Sequence, residues 1–234
     1  MNPTKKQARI AGLFYLLMAI SGPLGIMYVP SNIIVSGDAM ATVGNLMNSE
    51  MLFRLSIVSS MICQISFIFL VLALSRLFKR VNEWHTKLMV SLVIVAVPIA
   101  FLNEIMHAAV LVLLSGPAYL DVFDPAQTKA LIMVFLELHE QGILIVGIFW
   151  GLWLFPFGYL VIKSGFIPKI FGILLIIGCF AYLTDSLTAF LIPQHREIIS
   201  KFIMLPLAAG EISIIFWLLI AGIRVHRSSP GVTG

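Results

Sequence analysis

The sequence predicts an all-α fold, a polytopic membrane bundle of six transmembrane helices with both termini cytoplasmic. Three observations carry this expectation. First, 60% of the 234 residues are hydrophobic and 11% are charged, with a mean hydropathy of +1.03. A soluble domain carries about a quarter charged residues, so one soluble core cannot hide this much apolar surface. Second, the apolar residues fall into six runs, at about 10–29, 52–78, 88–114, 131–162, 168–191 and 202–223, and about 20 apolar residues in a helix cross the hydrocarbon core. Third, the cations are one-sided. Lys5, Lys6, Arg9, Arg76, Lys79, Arg80, Lys87, Lys163, Lys169, Arg224 and Arg227 fall at one end of the runs, and Arg54, Lys129, Arg196 and Lys201 at the other. The positive-inside rule puts the first set, and with it both termini, in the cytoplasm.

In order along the chain, the first run is longer than a signal-peptide core and has no clean cleavage site, so it reads as a retained span, bent or ended near Pro23 and stopped by Pro30. Asp38 before Ala-Met-Ala-Thr-Val predicts the cap of a short interfacial helix. Span two holds Arg54 and Gln64, and a basic turn over 76–87 leads to span three, with Pro98 and Asn103-Glu104-x-x-His107. Asp124-Pro125 is a cap followed by proline at the first helical position, which predicts the start of span four. Pro156 lies inside that span, and a tight basic turn at 163–169 precedes span five with Asp185. A polar connection over 192–201 holds His195, Arg196 and Glu197, and span six holds Pro206 and Glu211. The whole chain, 1–234, reads as one integral membrane domain. Cys63 and Cys179 both lie in apolar runs, as small buried hydrophobes rather than a disulfide pair. With the Lys and Arg confined to loops and tails, the partner expected is the lipid bilayer, not nucleic acid.

The chemistry sits in the ionisable residues of the spans. A charge at the bilayer centre costs about 2.5–3.5 kcal/mol, so such groups face the bundle interior. At about 1.5 Å per residue, Glu104, His107, Asp185 and Glu211 stand about 20–30 Å from the basic end, and Arg54, Glu137, His139 and Glu140 about 33–39 Å from it. The first four form a band in the outer half, and the second four a ring at its lip where Arg54 meets Glu137 and Glu140. On span four Glu137 and Glu140 share a face and His139 turns away from Glu137, towards Asp185 and Glu211. The stretch Phe135-Leu-Glu-Leu-His-Glu-Gln-Gly142 is then the mouth of an outward-opening polar pocket with its floor on spans five and six.

Three functions fit this pattern. Buried carboxylates with a histidine suit proton-linked transport or small-ligand binding. Glu-x-x-His with further Glu and His suits a metal-dependent membrane enzyme, although the pair occurs once and di-iron bundles use it twice. Polar residues that tie helices together suit a structural or partner-binding protein.

Several motifs carry a resemblance: Arg9-Ile-Ala-Gly-Leu-x-Tyr-Leu-Leu, Glu50-x-Leu-Phe-Arg54, Phe123-Asp-Pro-Ala-Gln127, Leu138-His-x-x-Gly142, Tyr182-Leu-x-Asp-Ser186 and Gly210-Glu-x-x-x-x-x-Trp-Leu-Leu-Ile-x-Gly222. Over nearly its whole length the chain resembles the bacterial membrane family catalogued as domain of unknown function 4386. The resemblance implies a multi-pass protein of the inner (plasma) membrane and no assigned activity. Its pattern includes positions matching Arg54, His139, Asp185 and Glu211 but does not single out Glu104 and His107, so the sequence assigns no metal and leaves any cofactor unknown.

Overall fold

The structure, a computed structural model, describes residues 5–221, apart from the side chains of 197 and 202–208. The basic tail from Arg224, residues 222–223 of the expected sixth span and the Pro206 side chain therefore lie outside the described residues. Among the described residues the chain is all helix and turn, without a strand. Among the described residues five helical stretches are long and apolar enough to cross a membrane: Lys5–Ile33, Glu50–Phe78, Glu83–Ser115, Pro125–Ser164 and Lys169–Leu191. These lengths and compositions are those of a membrane protein.

The first stretch is three pieces run together: α1 (Lys5–Pro23), a π turn over Leu24–Tyr28, and α2 (Val29–Ile33). The regular α-helix therefore gives way just after Pro23, where a bend or end was expected, but the helical stretch runs on past Pro30, which was expected to stop it. The Val29 N–H reaches back to the Leu24 carbonyl, five residues away. That wider loop is a single-turn π bulge, and it places Pro30, which has no N–H to give, in the first turn of α2 where none is needed. Asp38 then caps α3 (Ala39–Asn48) by accepting from the Ala41 N–H at 2.9 Å, as its position predicts.

Next come α4 (Glu50–Phe78) and α5 (Glu83–Ser115). The Asp124 side chain accepts from the Ala126 and Gln127 N–H groups, both at 2.8 Å, while the Gln127 side chain accepts from the Asp124 N–H at 2.9 Å. This capping box starts α6 (Pro125–Leu152). Pro156 cannot donate to the Leu152 carbonyl, and the fourth span breaks at Trp153 into α6 and α7 (Leu154–Ser164). After them come α8 (Lys169–Leu191) and α9 (Arg196–Ile220). Among the described residues Ala209–Ile220 is an apolar stretch of α9.

The long helices pack in a closed circuit. α1 lies on α4, α4 on α5, α5 on α6, α6 and α7 on α8, α8 on α9, and α9 back on α1. Two cores fill it. The larger, towards the basic end, is aromatic and apolar: Tyr15, Phe67, Phe78, Trp153 and Phe157 interlock there with leucines and valines. The smaller, at the opposite end, holds Val29, Ile33, Leu46, Phe53, Val110, Ile132 and Leu136 from α2 to α6. Between the smaller core and the middle of the bundle lies the buried polar group described next.

Candidate functional site

On α5 the buried positions Val93, Ala96, Val97, Ala100, Asn103, Glu104, His107 and Val110 recur every three to four residues. That is the inward stripe of a helix, and it changes from apolar to polar at Asn103. On α6 the stripe runs Ile132, Leu136, His139, while Glu137 and Glu140 point out to the exposed side. Where the two stripes face each other, three ionisable side chains meet. Glu104, His107 and His139 are 5%, 2% and 5% exposed. His139 Nε2 lies 3.3 Å from Glu104 Oε1, and His107 Nδ1 lies 3.3 Å from Glu104 Oε2. The two imidazoles stack with centroids 3.4 Å apart and planes 20° from parallel. Phe53 of α4 closes the far side, its ring at 64° to that of His107.

The approach of α5 and α6 is built around one amide. Asn103 Nδ2 donates to the His139 carbonyl at 2.9 Å, and a Cβ on Gly142 would overlap that Asn103 side chain. Gly142 thus lets the amide in, three residues after His139 on the same face. The cluster is not fully satisfied. Glu104 Oε2 and His107 Nδ1 face one another, yet their geometry is out of line and both lack a hydrogen bond. A buried polar atom left unpaired costs about 1–3 kcal/mol, so this arrangement stores a demand for a further partner.

A second polar group lies one residue along α6, on its other side. Arg196 Nη1 donates to Glu140 Oε1 at 2.9 Å, and Arg196 Nε stands 3.7 Å from Asp185 Oδ1. Ser200 of α9 bonds the same Asp185 oxygen, and Ser186 Oγ donates to the Leu144 carbonyl at 2.8 Å. These contacts join α6, α8 and α9.

Three expectations are corrected here. Arg54 does not meet Glu137 or Glu140; it pairs with Glu50, four residues before it on the same exposed helix face, at 2.7 Å. α5 stands between α4 and α6 in the circuit, and Glu137 is exposed. His139 turns not to Asp185 and Glu211 but to α5, because Gly142 and Asn103 fix that side of α6 as the contact. Asp185, expected to face His139 on the pocket floor, has Arg196 beside it instead. Glu211 belongs elsewhere: it is half-buried on α9, within electrostatic reach of Tyr15, Cys63 and Tyr182. Arg196 and Ser200 escaped sequence reading because both fell in a stretch taken for a loop, which is the first turn of α9. The three-to-four spacing of Ile132, Leu136 and His139 marks His139 as inward but does not name the helix it meets.

Comparison with known proteins agrees with this picture and adds no activity. An uncharacterised protein of Archaeoglobus fulgidus is 35% identical over 80 residues, which cover 34% of this chain and 46% of that protein. The match thus spans less than half the length of that relative. No solved structure matches the chain. The family model described as "Domain of unknown function (DUF4386)" matches residues 10–222, a stretch that takes in Arg54, both polar groups and Glu211. With nearly the whole chain covered, this membrane protein belongs to the DUF4386 family.

Proposed function

We propose that the protein is a six-span, multi-pass protein of the plasma (inner) membrane, with both termini in the cytoplasm, that binds a small cation in its outer half. The observation that carries this reading is the Glu104 carboxylate. It is buried in the membrane domain, and the partners described for it are two imidazoles rather than a Lys or Arg. A carboxylate at that depth is costly unless a positive charge comes to it, and the incomplete hydrogen bonding of Glu104 and His107 leaves a place for one.

A route to the site supports the same reading. A cavity of about 270 Å³ opens between α3, the end of α5 and the start of α6, lined by Val43, Leu113, Phe123, Lys129 and Ile132 among others. Ile132 is seven residues before His139 on α6, and Leu114 seven after His107 on α5. The cavity therefore lies about 10 Å from the cluster along the same crevice. Phe53, Val110 and Leu136 separate the two, so a shift of these apolar side chains would connect them. The structural reading keeps one specific support, the Arg196 contacts that join three helices.

The test is a melting survey of the detergent-purified chain with sodium, potassium, ammonium, an organic ammonium and divalent cations. A saturable rise in Tm with one of these, lost in Glu104→Gln, is the expected result. If none of them moves the wild-type Tm, or if Glu104→Gln responds as wild type does, the cation reading fails.

A further inference from the structure

We propose that Glu104, His107 and His139 form a binding site for a divalent first-row transition-metal ion of the zinc type. The inference rests on the cation reading above and names the class of cation. The donor set comes first. Two imidazole nitrogens and one carboxylate oxygen make a two-His, one-carboxylate set, which suits zinc or iron(II). Magnesium and calcium prefer oxygen donors throughout, so the two nitrogens disfavour them.

Geometry agrees. One donor atom from each of the three residues can be chosen so that all lie within 4.8 Å of one another. Donors bound to zinc at about 2.0–2.1 Å in tetrahedral array stand about 3.3–3.4 Å apart. Each Glu104 oxygen stands 3.3 Å from one imidazole nitrogen, Oε1 from His139 Nε2 and Oε2 from His107 Nδ1. That spacing is long for a charge-assisted hydrogen bond, which runs about 2.7–2.9 Å, and natural for two ligands of one ion.

The second, independent observation is the pair of orphaned atoms. Glu104 Oε2 and His107 Nδ1 are buried and 3.3 Å apart, yet form no well-aligned hydrogen bond with each other or with another group, whereas buried polar atoms are ordinarily paired. A carboxylate oxygen and an imidazole nitrogen held this close offer two donor atoms to one cation. Support around the ligands is also in place. Asn103 holds the His139 backbone, Gly142 makes room for it, and Phe53 lies edge-on to His107. Three protein ligands leave a fourth position for water or an exogenous anion, as in catalytic rather than structural zinc sites.

The full chain, purified in detergent and stripped with a chelator, is titrated with cobalt(II) and separately with zinc. One equivalent of cobalt is expected to give visible d–d bands, and zinc to abolish them by competition. His107→Gln and Glu104→Gln should each weaken cobalt binding by more than about 100-fold, beyond the 10–100-fold typical of losing an outer-shell partner. Glu137→Gln and His85→Ala, which alter an exposed carboxylate on α6 and a histidine at the basic end, should leave it unchanged. A monodisperse elution and the wild-type metal-free Tm establish that each variant is folded. Wild-type protein that binds neither metal overturns the proposal, and so does equal binding by folded His107→Gln and Glu104→Gln. Stabilisation by ammonium or an alkali cation without metal uptake would overturn the metal while leaving the broader cation reading intact.

Discussion

The two ends of the bundle are held together by different chemistry. Near the basic end, Tyr15, Phe67, Phe78, Trp153 and Phe157 form a stacked and edge-to-face aromatic core with leucines and valines around it. Towards the other end the same helices bury Asn103, Glu104, His107, His139, Asp185, Ser186 and Thr188. Aromatic side chains bring large contact area and ring-edge attraction. Buried polar groups bring little net stability and lose much when half-satisfied. The buried carboxylates and histidines among the described residues, Glu104, His107, His139 and Asp185, all lie towards that end, and a chain that gathers them there is using that end for something other than holding itself together.

The largest effect that would test this contrast is in the aromatic half. Trp153 is 1% exposed and touches the rings of Tyr15, Phe67 and Phe157. Trp153→Ala is expected to cost about 3–5 kcal/mol, the range for emptying a large buried aromatic, read as a fall in denaturation midpoint in detergent. Cation binding at the α5–α6 cluster should survive wherever the variant is folded. Loss of cation binding with little loss of stability would reverse the division of labour.

Gly142→Ala sits at the junction and should affect both properties. The new methyl group takes the space of the Asn103 amide, and overpacking of this kind costs about 1–3 kcal/mol. Displacing the amide also frees the His139 carbonyl, so cation affinity should fall with stability. A companion Asn103→Ala in the same chain creates room for the methyl group. It should recover part of the stability but not the affinity, which separates crowding from positioning.

Much of the fold was readable because helix starts are local events. Asp38 and Asp124 announce α3 and α6 through side chains that reach N–H groups two or three residues away. The continuation of the first span through Pro23 and Pro30 was not readable, since a π turn depends on how the backbone settles around both prolines. The candidate site was half readable. Residue types and heights are set along one helix, so Glu104, His107, His139 and Asp185 could be named. Which helix each one faces is set between helices. A helical wheel puts Glu137 and His139 on different sides but does not say that α5 lies on the His139 side. Gly142 decides that, by admitting Asn103. Arg54 misled for a related reason: its nearest carboxylate is Glu50 on its own helix, at the four-residue spacing, and local pairing won over the long-range partners.

The smallest expected effect tests whether the Arg196 group is structural. Arg196 and Glu140 are joined at 2.9 Å, but their side chains are 33% and 62% exposed. Exposed ion pairs contribute about 0–1 kcal/mol. Asp185, whose side chain is 10% exposed, is held also by Ser200. Glu140→Gln therefore removes only the weaker arm of the bridge and should shift stability by less than about 1 kcal/mol, measured as the change in denaturation midpoint. It should leave cation affinity unchanged, although Glu140 is the neighbour of His139 in sequence, because the two side chains leave α6 about 100° apart, His139 towards Glu104 and Glu140 towards Arg196. A loss of affinity as large as that of Glu104→Gln would mean that the two polar groups act as one site. The helix-joining contacts at α6, α8 and α9 would then belong to the binding machinery and not to the scaffold.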